Sequence, residues 1–219
     1  QLVQSSGSDL DVASAGTIER DQQGQTNIYN YNYWSSPVSA PSTVANNGGY
    51  TITNVFKDAT DPDNLVDINW TNSYNGAPTT PITVSQAWIY KFQNVSNAYA
   101  NWGYIGSTGT LMPGEGFTMK GCGAATATQN YAFTGKPNNG DVNLSIAGGN
   151  LNLCGNPYPS ALDATQFIND NIDSIDGTLY FWEHYSTNDT HVYSQYQGGY
   201  AALTNVGGTP PVAAPGISG

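Results

Sequence analysis

The chain has 219 residues, only 10% of them charged, and a net charge of −11 from 5 Lys and Arg against 16 Asp and Glu. So few cations cannot neutralise a phosphate backbone, and no apolar run is long enough to cross a bilayer, so this reading excludes nucleic acid as a partner and membrane insertion. With 25 Gly, 12 Pro and 15 Tyr, the composition predicts an all-β fold of many short strands. The expected form is an antiparallel β-sandwich or a meander-rich β domain with one short helix.

Residues 1–22 break at Gly7 and Gly16 into β-prone pieces of three to five residues. They are expected to be short rungs, the end of a stacked β array or an assembly strand. Residues 23–203 are read as the main β domain and 204–219 as a Gly/Pro-rich tail or linker. Within the main domain, residues 28–34 alternate Tyr and Asn, the period of a strand with one aromatic face, and Pro37 ends that run. Residues 51–56 are a further strand candidate. The loop after them carries Asp58, Asp61, Asp63 and Asp67, which could converge on calcium through hard oxygen ligands. It lacks the Asp-x-Asp-x-Asp-Gly pattern, so a solvated turn rich in Asp and Pro is the competing reading. Asp170, Asp173 and Asp176 beside Gly177 pose the same choice.

Residues 85–92 alternate again, with Trp88, Tyr90 and Phe92 expected on one face and Ile89 and Lys91 on the other. Strands are expected over 101–106, 114–120, 129–134 and 142–146. Gly135-Lys-Pro-Asn-Asn-Gly140 reads as a tight connection between the last two, giving an antiparallel meander. Asn156-Pro-Tyr-Pro159 cannot continue a ladder, because proline lacks the N–H. Asp163 then supplies an N-cap with Gln166 three residues on, starting a helix of roughly ten residues whose apolar stripe is Phe167, Ile168 and Ile172. Residues 179–185 and 191–196 are predicted to pair as a hairpin around Ser186-Thr-Asn-Asp189, which would set His184 opposite His191. From 201 onward the chain reads as linker.

Candidate chemistry is sparse. Cys122 and Cys154 predict one disulfide in an oxidising compartment, closing a loop of about thirty residues worth roughly 4 kcal/mol in the chain-entropy model; the alternative is two buried thiols. The two histidines could share a metal, but Glu183 would face the other way, and a cross-strand polar pair explains them more simply. No Gly-x-Ser-x-Gly elbow is present. Glu115 and Glu183 are the candidates for a glycosidase carboxylate pair, with ordinary surface positions as the alternative. The expectation is a chain that is not an enzyme and needs no cofactor, calcium being the one possible exception.

Four stretches carry a resemblance: Tyr31-Asn-Tyr-Trp-Ser-Ser-Pro-Val38, Leu111-Met-Pro-Gly-Glu-Gly-Phe-Thr-Met-Lys-Gly121, Phe133-Thr-Gly-Lys-Pro-Asn-Asn-Gly140 and Gly155-Asn-Pro-Tyr-Pro-Ser-Ala-Leu-Asp-Ala164. In order and spacing the chain resembles a module of large adhesin-like surface proteins of Bacteroidota, especially flavobacteria, exported by type IX secretion. The resemblance implies an extracellular or cell-surface location and no particular activity. In those proteins the module follows stacked β repeats and continues into a further strand, so this chain is expected to be a processed piece or a polymer subunit. Its cysteines stand where the relatives carry small or aliphatic residues. Asp173-Ser174-Ile175 resembles the O-glycosylation motif of the same bacteria, which predicts a glycan on Ser174. Two function classes follow: a non-enzymatic structural or adhesin module that associates with copies of itself or with neighbouring domains, and a carbohydrate-binding module whose exposed aromatic rings stack on sugars.

Overall fold

A computed structural model describes residues 2–5, 7–185 and 189–212, and the chain divides into two compact units, Gln1–Ala161 and Leu162–Gly219. The sequence leads to the expectation of one main domain over 23–203. The fold is all-β, with most strands paired antiparallel and little helix.

The first unit is organised by its longest strand, Thr128–Pro137. Ile18–Gln25 pairs antiparallel along one side of it from Ile18 opposite Gly135 to Gln25 opposite Thr128. Phe56–Asp58 pairs on the other side, and Val66–Asp67 completes the sheet beyond it. Val38–Ser39 pairs with the last two residues of the long strand. A second ladder joins Tyr31–Trp34 to Phe117–Lys120, and Asn69–Thr71 runs parallel to Thr83–Ser85. The core between these layers holds Trp34, Phe56, Phe117, Tyr131 and Phe133, all buried. Phe56 stacks on Tyr131 at 4.9 Å between ring centroids and lies 4.6 Å from Phe133. Aromatic pairs of this kind add about 0.5–1.5 kcal/mol each beyond their buried area.

Several local expectations are corrected. Residues 2–17 hold no strand among the described residues; turns carry them, and Gln4 Nε2 donates to the Asn138 carbonyl at 2.8 Å while Asn139 Nδ2 donates to the Ser8 carbonyl at 2.9 Å. The short β rungs expected over 1–22 are therefore not formed over 2–17, and the first strand, Ile18–Gln25, runs past residue 22. Residues 51–56 are interrupted by one helical turn, Ile52–Val55. Thr51 N–H is met by Asn54 Oδ1 at 3.0 Å, and the turn sends Ile52 and Val55 into the core, a spacing of three that a strand could not satisfy. A 3-10 turn at Gln86–Trp88 breaks the alternation expected over 85–92, so Ile89 is the fully buried residue while Trp88 and Tyr90 are only half-buried. Gly135 is not in a turn: the strand passes straight through it, because the Ser39 carbonyl and Val38 fill the space a Cβ would need. Residues 142–146 are not a strand, and the sheet forms from segments far apart in sequence instead of a meander.

In the second unit Asp163 caps Ala164–Asp170 as expected, accepting from Thr165 N at 2.9 Å and Gln166 N at 3.0 Å. The helix is seven residues long and buries Ile168, while Ile172 is exposed and Gln166 Nε2 bonds Asp170 instead of returning to the cap. Thr178–His184 pairs with Gly198–Thr204, and Gly207–Thr209 adds a third strand. The predicted hairpin is thus mispartnered: His184 faces Gly198, and His191 lies in the connection before a 3-10 turn at Tyr193–Gln195. The predicted turn at 186–188 lies outside the described residues. Gly198 is what makes the observed pairing possible, since Trp182 lies across it where any side chain would stand. Residues 201–204, expected to be linker, are strand.

Candidate functional site

The predicted site residues are not brought together. Cys122 is a buried free thiol and Cys154 an exposed one, so the expected disulfide is absent. The reason is strand geometry. Cys154 bridges Glu115, at the start of the run that reaches Cys122 seven residues later, an extended span of about 23 Å at roughly 3.3 Å per residue. A disulfide requires Cα atoms within about 7 Å. Cys122 packs instead in the core, where burial pushes its thiol pKa up.

The acidic loop is dispersed in the same way. Asp58 is 2% exposed and turned inward, accepting from Thr60 N at 2.8 Å, Thr60 Oγ1 at 2.6 Å and Ile82 N at 2.9 Å. Asp61 accepts from Asp63 N at 3.1 Å, and Asp67 pairs with Lys57. Among the described residues no three His, Cys, Asp or Glu side chains gather to hold a metal ion. Glu115 is tied to Lys91 at 3.3 Å and caps Met112 N at 2.9 Å, while Glu183 belongs to a strand of the second unit. Ser174 stands exposed on the turn after the helix, its N–H bonded to the Asn171 carbonyl at 2.8 Å.

What the first unit does assemble is an aromatic surface. Strand alternation puts Tyr31 and Tyr33 on the outer face of Tyr31–Trp34, with ring centroids 6.4 Å apart. Trp88 meets Tyr31 edge-on at 6.4 Å and Tyr74 at 5.3 Å. The indole is fixed because Trp88 Nε1 donates to the Tyr74 carbonyl at 2.7 Å. Tyr90 and Tyr104 form a second pair, edge to face at 5.5 Å. Tyr74, Tyr99 and Tyr104 are each more than half exposed.

Beneath this surface lies a residue that the sequence reading missed. Lys120 is directly opposite Tyr31 across the ladder and only 1% exposed. Its Nζ sits 3.9 Å from the Trp88 ring centroid and 4.6 Å from that of Tyr31, a cation–π sandwich that also braces the two rings. Burial pulls its pKa down to about 7. The signal was present in Phe117-Thr-Met-Lys120: a strand covered on both faces reads as continuous burial, and its lysine has to be accommodated.

A groove of about 350 Å³ opens elsewhere on the same unit, between Ile18–Gln25, the strand bearing Trp34 and the segment 153–161. Asn32 closes one end by imitating a ladder, accepting from Gln25 N at 2.8 Å and donating to the Gln25 carbonyl at 3.1 Å. The second unit carries an aromatic face of its own, with Trp182 opposite Tyr200 at 5.0 Å and Tyr180 and His184 on the same side of the strand.

A family model described as "Domain of unknown function (DUF8693)" matches residues 1–211. The chain belongs to this family. The match takes in the whole first unit, with both the aromatic surface and the groove, and the strands of the second. No curated protein and no solved structure matches it.

Proposed function

We propose that this chain is a non-catalytic adhesion module of an exported surface protein and that it holds carbohydrate on the Tyr74, Trp88 and Tyr104 surface. One observation carries the reading: two groups of rings on the first unit, Tyr31, Tyr33, Tyr74 and Trp88 in one and Tyr90 with Tyr104 in the other, with Tyr31 and Trp88 braced by a buried lysine and Tyr74 and Tyr104 more than half exposed, on a chain with few charges. Sugar rings present C–H faces that stack on such rings, and the hydroxyls of the tyrosines and nearby Asn and Thr side chains meet the sugar hydroxyls. Type IX export and an extracellular site belong to the same proposal and rest on the resemblance described above.

The test is a glycan array followed by titration calorimetry on the intact chain. Tyr74→Ala and Tyr104→Ala change exposed rings and leave the core intact, so each is expected to weaken a bound glycan by up to about tenfold with an unchanged melting temperature. A glycan that binds both variants as tightly as the parent chain overturns the assignment of the surface. A second reading, self-association, draws on the eight-residue strand Ile18–Gln25, which ends its sheet. Glu19, Arg20 and Asp21 on that strand oppose it, since charge blunts an open edge. Light scattering across a concentration series decides this point, and a monomer throughout removes it.

A further inference from the structure

The groove beside Ile18–Gln25 differs from its surroundings in charge. Although the chain holds 16 Asp and Glu, none of them lines it, while one of the 5 cations, Arg20, does. The other four are committed. Lys57 pairs with Asp67 and Lys91 with Glu115, Lys120 is sandwiched between rings, and Lys136 is buried. Arg20 is exposed, and its side chain has no hydrogen bond or ion pair among the described residues. Strand register explains why it faces the groove. Arg20 and Gln22 lie opposite Phe133 and Tyr131 and share their side of the sheet, whereas the intervening Asp21 borders a separate hollow beside Thr60 and Pro62. The sequence therefore alternates its charges to opposite faces and leaves the groove with a guanidinium and no carboxylate.

The remaining lining is that of a polar ligand site. Gln22, on the same face of the strand as Arg20, carries a side-chain amide with no hydrogen-bond partner among the described residues and offers donor and acceptor together, the pairing that vicinal hydroxyls need. Trp34 and Phe133 lie beneath, and Trp34 Nε1 is buried with no acceptor, a donor left over at the floor. The volume falls at the small end of the ~300–1,000 Å³ range of ligand pockets.

We propose that this groove binds a carboxylate-bearing saccharide unit, a hexuronate, with Arg20 on the carboxylate and Gln22 on the ring hydroxyls. The guanidinium presents two parallel N–H donors that match a carboxylate bidentately. The proposal shares with the preceding reading only the class of ligand, since the site and its deciding residue are different.

The groove also contains its own reporter, the exposed Cys154 thiol, while Cys122 is buried and silent in the native chain. The experiment titrates the intact chain with a galacturonate trisaccharide, its methyl ester and a trimeric aspartate peptide, measuring heat and the rate of Cys154 alkylation. The acid saccharide is expected to bind and to slow alkylation, and the neutral ester to bind at least about tenfold more weakly. Arg20→Gln is expected to erase that difference, while Tyr74→Ala leaves it. Equal binding of acid and ester, unchanged alkylation, or a peptide that binds as well as the saccharide overturns the proposal. If Tyr74→Ala abolishes uronate binding and Arg20→Gln does not, the sugar sits on the aromatic surface, and only the groove assignment fails. If neither saccharide binds, the groove proposal fails by itself, and the adhesion reading still stands or falls by the glycan array.

Discussion

Lys120 offers the sharpest test of the reasoning about the aromatic surface. In the unfolded chain its amine titrates near 10.5, and in the folded protein burial lowers this to about 7. Between those values the unfolded chain binds the proton more tightly than the native one, so native stability rises as pH rises through the window. Below about pH 7 the cost of the buried charge is present in full. A fall of this size corresponds to at most ~5 kcal/mol. The two ring contacts and remaining solvent favour the charged form and cut the effect to ~2 kcal/mol. Lys120→Met removes the charge and keeps the shape of the stem. The assay is urea unfolding of both proteins from pH 6.5 to 9.5, read as the difference between them. Tyr50, Tyr131 and Cys122, whose pKa values burial raises, lose stability at higher pH in both proteins and cancel in that difference. The variant is expected to be the more stable protein at pH 6.5, with its advantage shrinking toward pH 9.5. Parallel profiles would refute the claim that the lysine is buried between the rings.

Asp58→Ala strands two backbone N–H groups and the Thr60 hydroxyl and is expected to cost ~2–4 kcal/mol in chemical denaturation, with calcium and chelator giving the same midpoint in the parent chain. A calcium-dependent midpoint would restore the metal reading of that loop. Alkylation of the native chain is expected to modify Cys154 alone, with Cys122 reacting only after unfolding, as intact mass reads directly. Two thiols that react only after reduction would mean the bridge exists. Peptide mass spectrometry of material from the native source is expected to find a glycan on the exposed Ser174, and a fully unmodified peptide counts against that motif.

The parts of the fold legible in the sequence are those set by local chemistry. Asp163 caps a helix because its carboxylate reaches N–H groups two and three residues on, and the Pro157 and Pro159 pair ends the strand pairing wherever the chain goes next. The errors arise where a distant partner decides. Nothing near Gly135 reveals that Ser39 will lie against it, and nothing in residues 191–196 shows that Gly198 will accept Trp182 in their place. The cysteine pairing failed for the same reason, since their separation depends on which residue faces Glu115. Arg20 could have been singled out by counting cations, but the commitments of the other four exist only in three dimensions.

The long strand Thr128–Pro137 also sets an order of events for a chain that is made or threaded from its N-terminus. Ile18–Gln25, Val38–Ser39 and Phe56–Asp58 all emerge long before the strand that receives them, and Gly135 must arrive before Ile18 has a neighbour. Loop closure over such distances costs entropy that only the finished sheet returns, so folding of the first unit is gated by residues near its end. Until then Trp34 and Phe56 lack the Tyr131 and Phe133 rings that cover them. In a chain made from its N-terminus, the sheet of the first unit can therefore close only after Thr128–Pro137 has been added.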